Sequence, residues 1–412
     1  MPFFRWIRFP WALVILVSAA GSGFAAAPLG TPPALVARAA ILIEALTGAV
    51  LFENGADQRI PPASLTKLMT LHLAIRDIEE GRLDPSRIVV PGPDAWAKNM
   101  PPRSSVMFLG PSQKLSVGQL LKGLVVDSGN DAAVEIADLV AGSVPAFVDM
   151  MNREAMRLGY RAMHFVEPAG VSAANVITAR EYVDFARRFV FSHPDALRDL
   201  FSLRELTYPL PENLTDGNHE KAVSQSNRNV LLGKYEGVDG LKTGYIDESG
   251  YNIAVTAERG GMRLISVILG VPDVGAVSGS VLRASESAAL LDYGFRTFTT
   301  VRPAYDPPVP ARVWKGKARA VVVRATHEPV VAVRRDQASE VRAKIIQTSD
   351  VEAPVRAGEQ LGTVVVTLGG QELARFPLRA AADVDRSGVV RRALDSITLF
   401  FRGVHPAKPP SE

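Results

Sequence analysis

The chain has 412 residues, 47% of them apolar, and a formal net charge of only +3 at pH 7. This length and apolar content support two domains with their own hydrophobic cores, and the small charge, without a dense basic run, argues against a nucleic-acid-binding protein. The sequence contains no cysteine, which excludes cysteine nucleophiles, thiolate metal sites and a disulfide framework.

Residues 1–25 have the pattern of a secretory signal peptide. Arg5 and Arg8 give a positive start, and a short apolar core, WALVILV (11–17), precedes small residues suited to cleavage. Cleavage is expected at the end of this segment, with Ala27 as the alternative. An uncleaved N-terminal anchor is the other interpretation, although the apolar core is short for a membrane-spanning helix. Export without disulfides favours a bacterial periplasm as the location.

The region after this segment predicts a β-hairpin and then a helix. Residues 37–62 contain two β-rich runs around a turn at Thr47–Gly48, and Pro61–Pro62 end the second run. A helix is predicted from Ser64 to Gly81, because apolar residues recur there at helical spacing.

Residues 115–142 predict two helices separated by a break at 127–130. Ser116 and Gln119 form a capping box for the first helix, and Gly142 ends the second. The chain is therefore predicted to be mostly helical up to about residue 200.

Three strand-like runs follow, at residues 238–246, 250–258 and 262–271. Residues 259–261 (RGG) predict a hairpin turn, and residues 280–295 return to helical periodicity. Because the strands come from both ends of this region and the helices from its middle, the sequence predicts an α+β fold with one sheet assembled from both ends.

The remaining chain predicts a second, smaller unit. Residues 302–313 (RPAYDPPVPARV) are proline-rich and predict a domain linker. Short alternating runs after the linker predict a small β sandwich or barrel. Residues 384–403 return to helical periodicity.

Residues 61–70 (PPASLTKLMT) place Ser64 three positions before Lys67 on the first predicted helix. Side chains at i and i+3 lie on one helix face, about 5–6 Å apart. A lysine in a dry pocket has a lowered pKa, so its neutral amine can take the serine proton and make the serine a nucleophile. The helix N-terminus would stabilise a developing oxyanion. The pair alone is not specific, because a capping serine and an exposed lysine give the same pattern.

A second polar stretch, DSGND (127–131), puts Ser128 and Asn130 on the tight loop between two predicted helices. A hydroxyl there can pass a proton to a leaving amine, and an amide can hold a substrate carbonyl. The alternative is an ordinary loop with turn residues.

A third stretch, LKTGY (241–245), lies on a predicted strand. Lys242 offers a cation and Thr243 a hydroxyl, and Gly244 leaves room for a ligand against the strand. Taken alone, the stretch also fits a polar strand start.

In this order and at these spacings, the three motifs resemble the signature of the penicillin-recognising serine enzymes. The chain is most similar to the low-molecular-mass D-alanyl-D-alanine carboxypeptidases, over nearly its whole length. The resemblance implies a penicillin-binding/β-lactamase-like α+β domain over residues 28–300, with an antiparallel sheet and a helical cluster. It further implies a small all-β domain over 301–382 and an amphipathic membrane-anchoring helix over 384–403. One departure is Ile246, where many members have a hydroxyl residue.

The resemblance also assigns roles to residues. Ser64 is expected to be the acylated nucleophile, Lys67 its base, and Ser128 a further proton-transfer group. The residues expected to bind substrate are Asn130, Arg228, Lys242, Thr243, Gly244 and Tyr245. The backbone N–H groups of Ser64 and Tyr245 would form the oxyanion hole. Because the segment between Arg228 and Lys242 is slightly shorter than in relatives, the direction in which the Arg228 side chain points stays open.

The implied activity is that of a serine-type D-alanyl-D-alanine carboxypeptidase, which removes the terminal D-alanine from the peptidoglycan pentapeptide. β-Lactam antibiotics would be covalent inhibitors. A D,D-endopeptidase is the nearest alternative, and the β-rich second domain and terminal helix favour the carboxypeptidase. A β-lactamase is less favoured, because PENLTD (211–216) does not have the glutamate-x-x-leucine-asparagine spacing of class A enzymes. The intact triple motif argues against a non-catalytic wall-binding protein.

No metal or other cofactor is predicted. The six histidines are scattered, at positions 72, 164, 193, 219, 327 and 405, without a helical pair. His72 lies on an apolar helix and is interpreted as a hydrogen-bonded core residue.

The C-terminal segment 388–403 (GVVRRALDSITLFFRG) predicts an amphipathic helix. At about 100° per residue, one face collects Val389, Val390, Ala393, Leu394, Ile397, Phe400 and Phe401. Arg391, Arg392, Asp395 and Arg402 fall opposite, and Leu399 is the misplaced apolar residue. The segment is too short to span a bilayer but can lie in its interface. The resemblance implies peripheral attachment to the periplasmic face of the inner membrane; the alternative is docking of the apolar face on the second domain.

Overall fold

The computed structural model describes residues 30–215, 217–403 and 405–407. The predicted signal peptide lies outside these residues. The described chain forms an α+β domain, a small all-β domain and a C-terminal helix, and this order confirms the predicted fold class.

A five-stranded antiparallel sheet forms the frame of the α+β domain. Its strands are β1 (Ala39–Glu44), β2 (Val50–Asn54), β3 (Val238–Ile246), β4 (Gly250–Arg259) and β5 (Met262–Val271). The strand order is β2-β1-β5-β4-β3, so the first hairpin lies beside the last three strands, as predicted. Gly260 and Gly261 join β4 to β5 with φ angles of 55° and 77°, because a two-residue hairpin loop needs positive φ.

Helices cover both faces of the sheet. They are α1 (Lys67–Glu79), α2 (Val117–Val125), α3 (Asn130–Ala141), α4 (Val144–Arg157), α5 (Ala179–Ser192) and α6 (Gly279–Thr297). Ile41 and Ile43 of β1 share a core with α1 to α5, whereas Ala40 and Leu42 share a second core with α6. A strand buried on both faces is apolar at successive positions, which accounts for the sequence AAILIE.

Local signals define several helix ends. The Ser116 hydroxyl accepts the Gln119 N–H at 3.2 Å, and the Gln119 side chain accepts the Ser116 N–H at 2.9 Å, which confirms the capping box. Gly142 follows α3 with a φ of 77°. Short strands pair at Ile88–Val89 with Leu115–Ser116 and at Glu205–Tyr208 with Val223–Ser226.

The all-β domain has its own apolar core. Its strands are Phe298–Val301, Ala311–Trp314, Ala320–Val321, Val323–Ala325, Val331–Arg334, Val341–Gln347, Asp350–Glu352, Gln360–Leu368 and Gln371–Ala380. The first of these strands follows α6 directly, and the Arg335 guanidinium donates to the Phe295 carbonyl at 2.9 Å. The predicted boundary at residue 300 stays a prediction, because these contacts do not reveal which part folds by itself.

The C-terminal helix α7 (Val389–Arg402) docks on the all-β domain through its polar side. Asp395 accepts the Lys315 N–H at 2.6 Å, and Arg391 donates to the Lys317 carbonyl at 3.2 Å. Leu399, misplaced in the helical projection, is buried on this side. Residues 384–387 do not belong to the helix; they run along the β domain, where Val384 pairs with Val355.

The apolar face of α7 points outward. The residues of this face that are more than half exposed are Val389, Val390, Leu394, Ile397, Phe400 and Phe401. This face therefore does not dock on the described part of the β domain. Within the described ranges, no helix is both long and apolar enough to cross a membrane.

Candidate active site

The serine of the first motif lies in a strained turn rather than in an α-helix. Ser64 belongs to the 3₁₀ turn Ala63–Thr66, and α1 begins only at Lys67. Ala63 has a φ of 51°, in the left-handed region that residues with a side chain rarely adopt. Such strain persists where the surroundings fix the backbone, and it is frequent at functional sites.

Two glycines fix this turn by close packing. A Cβ on Gly170 would lie 1.9 Å from the Ala63 carbonyl oxygen, and a Cβ on Gly244 would lie 2.9 Å from the Ser64 nitrogen. The space beside Gly244, expected for a ligand, is partly filled by the backbone of the serine turn. The third motif therefore also holds the first motif in place.

Lys67 lies beneath Ser64 in a dry environment. Its side chain is 1% exposed, and its Nζ is 3.0 Å from Ser64 Oγ, 2.7 Å from Asn130 Oδ1 and 2.5 Å from the Ala169 carbonyl oxygen. A neutral amine has two N–H groups and one lone pair. Asn130 Oδ1 and the Ala169 carbonyl oxygen can only accept, so they use both N–H groups and leave the lone pair facing the Ser64 hydroxyl.

Burial lowers the pKa of Lys67 from its ordinary value of 10.5 to about 7. Removal of solvent disfavours the ammonium, and this effect outweighs the nearby carboxylates of Glu167 and Asp131, which raise the pKa. A substantial fraction of Lys67 is therefore neutral at pH 7. Geometry and pKa together allow Lys67 to take the Ser64 proton.

The second motif meets the third across the cleft. Lys242 Nζ donates to Ser128 Oγ at 2.8 Å and to the Thr243 carbonyl at 3.3 Å. Burial lowers the pKa of Lys242, and the cations Lys67, Arg283 and Arg228 lower it further, whereas Asp127 opposes the shift. Ser128 is thus paired with the buried Lys242, as Ser64 is paired with the buried Lys67.

One open cavity of about 750 Å³ joins these groups. The predicted site residues that line it are Ser64, Ser128, Asn130, Arg228, Thr243, Gly244 and Tyr245. The other two, Lys67 and Lys242, lie buried behind this lining and reach it through their hydrogen bonds to Ser64 and Ser128. The structure therefore brings all nine residues to one place.

The wall formed by the third motif is cationic. Arg228 is exposed and donates to Gln225 at 3.2 Å. Arg283 of α6 is 8% exposed, lines the same cavity, and donates to the Gly244 and Asn252 carbonyls at 2.8 and 3.2 Å. Sequence reasoning missed Arg283, because its only signal is an arginine on the buried face of a helix.

Two buried carboxyl groups stand at the two ends of the second motif, and sequence reasoning gave neither of them a role. Asp131 accepts the backbone N–H groups of Met107 and Leu109, each at 3.0 Å, and so holds the loop that carries Ser104 and Ser105 at the cavity. Asp127 is 1% exposed, and burial raises its pKa to about 7 despite the nearby cations.

No cation site accompanies these residues. Within the described ranges, no group of three or more His, Asp or Glu side chains is placed to hold a metal ion. His72 Nδ1 lies 2.9 Å from His193 Nε2, and His72 Nε2 lies 3.0 Å from Glu154 Oε1. These contacts give His72 the partners expected of a core histidine.

Penicillin-recognising serine enzymes are defined by the combination found in this cavity. It consists of a serine with a buried lysine one turn later, a second serine with an asparagine, and a lysine-threonine-glycine strand. Residues 26–273 match the D-alanyl-D-alanine carboxypeptidase family, and residues 298–386 match the C-terminal domain of penicillin-binding protein 5. The chain belongs to the D-alanyl-D-alanine carboxypeptidase family, which confirms the resemblance found in the sequence.

Similar proteins cover almost the whole chain. The chain is 34% identical to the D-alanyl-D-alanine carboxypeptidase DacC of Escherichia coli, over 93% of this chain and 92% of that protein. The crystal structure of penicillin binding protein 5 from Haemophilus influenzae matches 86% of this chain and 99% of its own, with 32% identity and a TM-score of 0.76. Ampicillin-bound penicillin-binding protein D2 from Listeria monocytogenes matches 64% of this chain and all of its own, with 28% identity and a TM-score of 0.54.

The lowered pKa of Lys67 predicts the pH dependence of acylation. Below pH 7 the ammonium cannot accept a proton, so the second-order rate constant for acylation by a fluorescent penicillin should rise with pH and be half-maximal near pH 7. Lys67→Arg should remove nearly all acylation, because a guanidinium stays protonated. Asp127 titrates in the same range, so Asp127→Asn is the control and should retain the rise. A rapidly acylated arginine variant would contradict the role of base.

Proposed function

We propose that this protein is a serine D-alanyl-D-alanine carboxypeptidase that removes the terminal D-alanine from peptidoglycan stem peptides through an acyl-enzyme on Ser64. The observation that carries the proposal is the Nζ of the buried Lys67, 3.0 Å from Ser64 Oγ. Family membership over both domains supports the substrate class.

In the proposed acylation, Lys67 takes the Ser64 proton while Oγ attacks the carbonyl carbon of the penultimate D-alanine. The C–N bond to the terminal D-alanine then breaks. Its nitrogen needs a proton, and Ser128 is suited to deliver it, because Ser128 Oγ accepts a hydrogen bond from Lys242 Nζ and its own proton is free to be donated. The proton that Lys67 took from Ser64 replaces the one that Ser128 gives up, so Lys67 is neutral again once the terminal D-alanine leaves. Lys67 then takes a proton from a water molecule while that water attacks the ester carbonyl carbon, and it passes this proton to Ser64 Oγ as the ester C–O bond breaks.

The developing oxyanion would be held by the backbone N–H groups of Ser64 and Tyr245. The packing of Gly244 against the Ser64 backbone supports this assignment, since it keeps these two parts of the chain in contact. Donors fixed in advance stabilise the charge without reorganisation at the moment of reaction.

Recognition of a free C-terminus is assigned to the cationic wall. Lys242, Arg228 and the Thr243 hydroxyl are suited to a carboxylate, and Arg283 adds positive charge at the same end of the cavity. Asn130 would hold a substrate amide while its Oδ1 stays with Lys67. A β-lactam carries a carboxylate and a strained amide, so the same groups would lead to a stable acyl-enzyme with penicillin.

Ser64→Ala tests the proposal. It should abolish both covalent labelling by a fluorescent penicillin and release of free D-alanine from a pentapeptide, since no nucleophile remains. The melting temperature should stay close to that of the parent, because the hydroxyl fills no core position. Labelled protein in the variant would place the acyl group elsewhere and refute the mechanism.

The carboxylate assignment makes a separate prediction. Thr243→Ala and Arg228→Ala should each lower kcat/KM for a pentapeptide with a free C-terminus by roughly tenfold or more, the usual cost of a lost charge-assisted hydrogen bond. The parent should discriminate against a C-terminal amide. With the amide substrate the two variants should lose little more, because the recognised group is gone. Equal losses on both substrates would assign these residues another role.

We further propose that the protein is periplasmic and attached peripherally to the inner membrane through α7. The exposed Phe400 and Phe401 are 82% and 81% exposed, at the end of an outward apolar face. Arg402, at the C-terminal end of the same helix, is exposed and can meet anionic headgroups. The polar side is already docked on the β domain, so membrane contact would not require the helix to detach.

Removal of α7 tests the attachment. Ending the chain after Ser387 keeps the Val384 pairing with the β domain and should release the protein from membranes, with activity on a soluble peptide unchanged. The double variant Phe400→Ser/Phe401→Ser should weaken sedimentation with anionic vesicles. Val281→Ser, which also removes an exposed apolar side chain, is the matched control. Retention of the shortened chain on membranes would contradict the proposal.

A further inference from the structure

The loop of residues 166–175 lies against both halves of the acylation machinery. Its Ala169 carbonyl accepts from Lys67 at 2.5 Å, and the preceding Pro168 carbonyl accepts from the Thr70 hydroxyl at 2.7 Å. Gly170 packs on the backbone of the serine turn so closely that no side chain fits. The loop therefore touches α1 and the Ser64 turn at the same time.

A single carboxylate organises this loop. Glu167 accepts the backbone N–H groups of Ala169 and Gly170, each at 2.7 Å, and that of Ser172 at 3.3 Å. It also accepts the Asn175 side-chain amide at 2.7 Å, and the same amide reaches the Thr66 hydroxyl at 3.1 Å. These bonds turn the peptide groups after Glu167 so that the Ala169 carbonyl points at Lys67.

The direction of that carbonyl matters for proton transfer. Asn130 and Ala169 are the two acceptors for the N–H groups of a neutral Lys67 amine, so they decide where its lone pair points. If the Ala169 carbonyl moves, the lone pair loses its alignment with Ser64 Oγ. Misplacement of about 1 Å at a reacting group can cost about a hundredfold in rate.

We propose that Glu167 is a positioning residue for the general base, acting through the Ala169 carbonyl, and this inference rests on the proposed role of Lys67. Glu167 does not line the cavity, and its hydrogen bonds go to its own loop. It fixes the loop that orients the Lys67 amine, and its charge acts on the lysine from the same side.

Three charged groups face Lys67 from the elements packed around it. The carboxylates of Glu167, in the loop, and Asp131, on α3, favour the ammonium. Lys242, on β3, is the third, and the charge of Lys67 lowers the pKa of Lys242. Loss of the Glu167 charge alone should therefore make Lys67 easier to deprotonate.

Glu167→Gln separates the geometric from the electrostatic effect. The amide nitrogen cannot accept the N–H groups that the carboxylate collects, so the loop should shift. We expect the plateau rate of acylation by a fluorescent penicillin to fall roughly tenfold or more. We also expect the half-maximal point of the pH profile to move to lower pH. A parent-like plateau and midpoint would overturn the proposal.

Glu44→Gln is the matched control. Glu44 is 1% exposed and collects the backbone N–H groups of Leu46 and Thr47 at 3.0 and 2.8 Å. Across the sheet, Ala40 of β1 is in register with Thr243 of β3, which belongs to the site. Glu44 lies four residues further along β1. This variant should lower the melting temperature without changing the pH profile. An equal loss of rate in both variants, with an unmoved midpoint in Glu167→Gln, would mean a merely structural role and overturn the proposal.

Glu167→Asp keeps the charge but is one methylene shorter. It should lose rate while its midpoint stays near that of the parent, and it carries the test if Glu167→Gln does not fold. A folded aspartate variant with the parent rate would overturn the proposal. Failure of the proposed function itself is distinguishable, because the parent protein would then not be acylated at Ser64 at all, whatever residue 167 is.

Discussion

The exclusion of water from Lys67 is the constraint on which the site depends. A shift of its pKa from 10.5 to about 7 corresponds to about 5 kcal/mol of lost preference for the ammonium. This cost arises because α1, α3 and the 166–175 loop enclose the side chain, and each N–H of the neutral amine has an acceptor there. The same enclosure leaves one direction open, toward Ser64.

The cleft contains a second buried lysine and two buried carboxyl groups, whose charges affect one another. Lys67 and Lys242 repel each other, and the repulsion lowers the pKa of Lys242. The buried carboxyls of Asp127 and Asp131 lie beside them, and burial raises the pKa of each. The pKa values of these four groups, which are ordinarily far apart, are thus shifted toward one another. Such convergence is typical of acid–base sites rather than of structural ion pairs.

Backbone packing sets the shape of the site as much as side chains do. The strained Ala63 is held between Gly170 from one loop and Gly244 from β3, each too close for a Cβ. Three segments distant in sequence therefore meet through main-chain contacts. On the β domain, the apolar face of α7 points outward, because polar contacts to that domain already occupy the opposite side of the helix.

The sequence by itself determined the α+β class, the strands at 238–246 and 262–271, the Ser116 capping box and the three motifs that meet at the cavity. These features follow from short-range periodicity, turn residues and fixed spacings, which are written locally in the chain. Only the tertiary structure decided that Ala169 orients Lys67 across 102 positions, that Arg283 enters the cleft, and that Leu399 faces inward while its neighbours face out. Desolvation and hydrogen-bond direction depend on which distant segments pack together, and no local pattern encodes that.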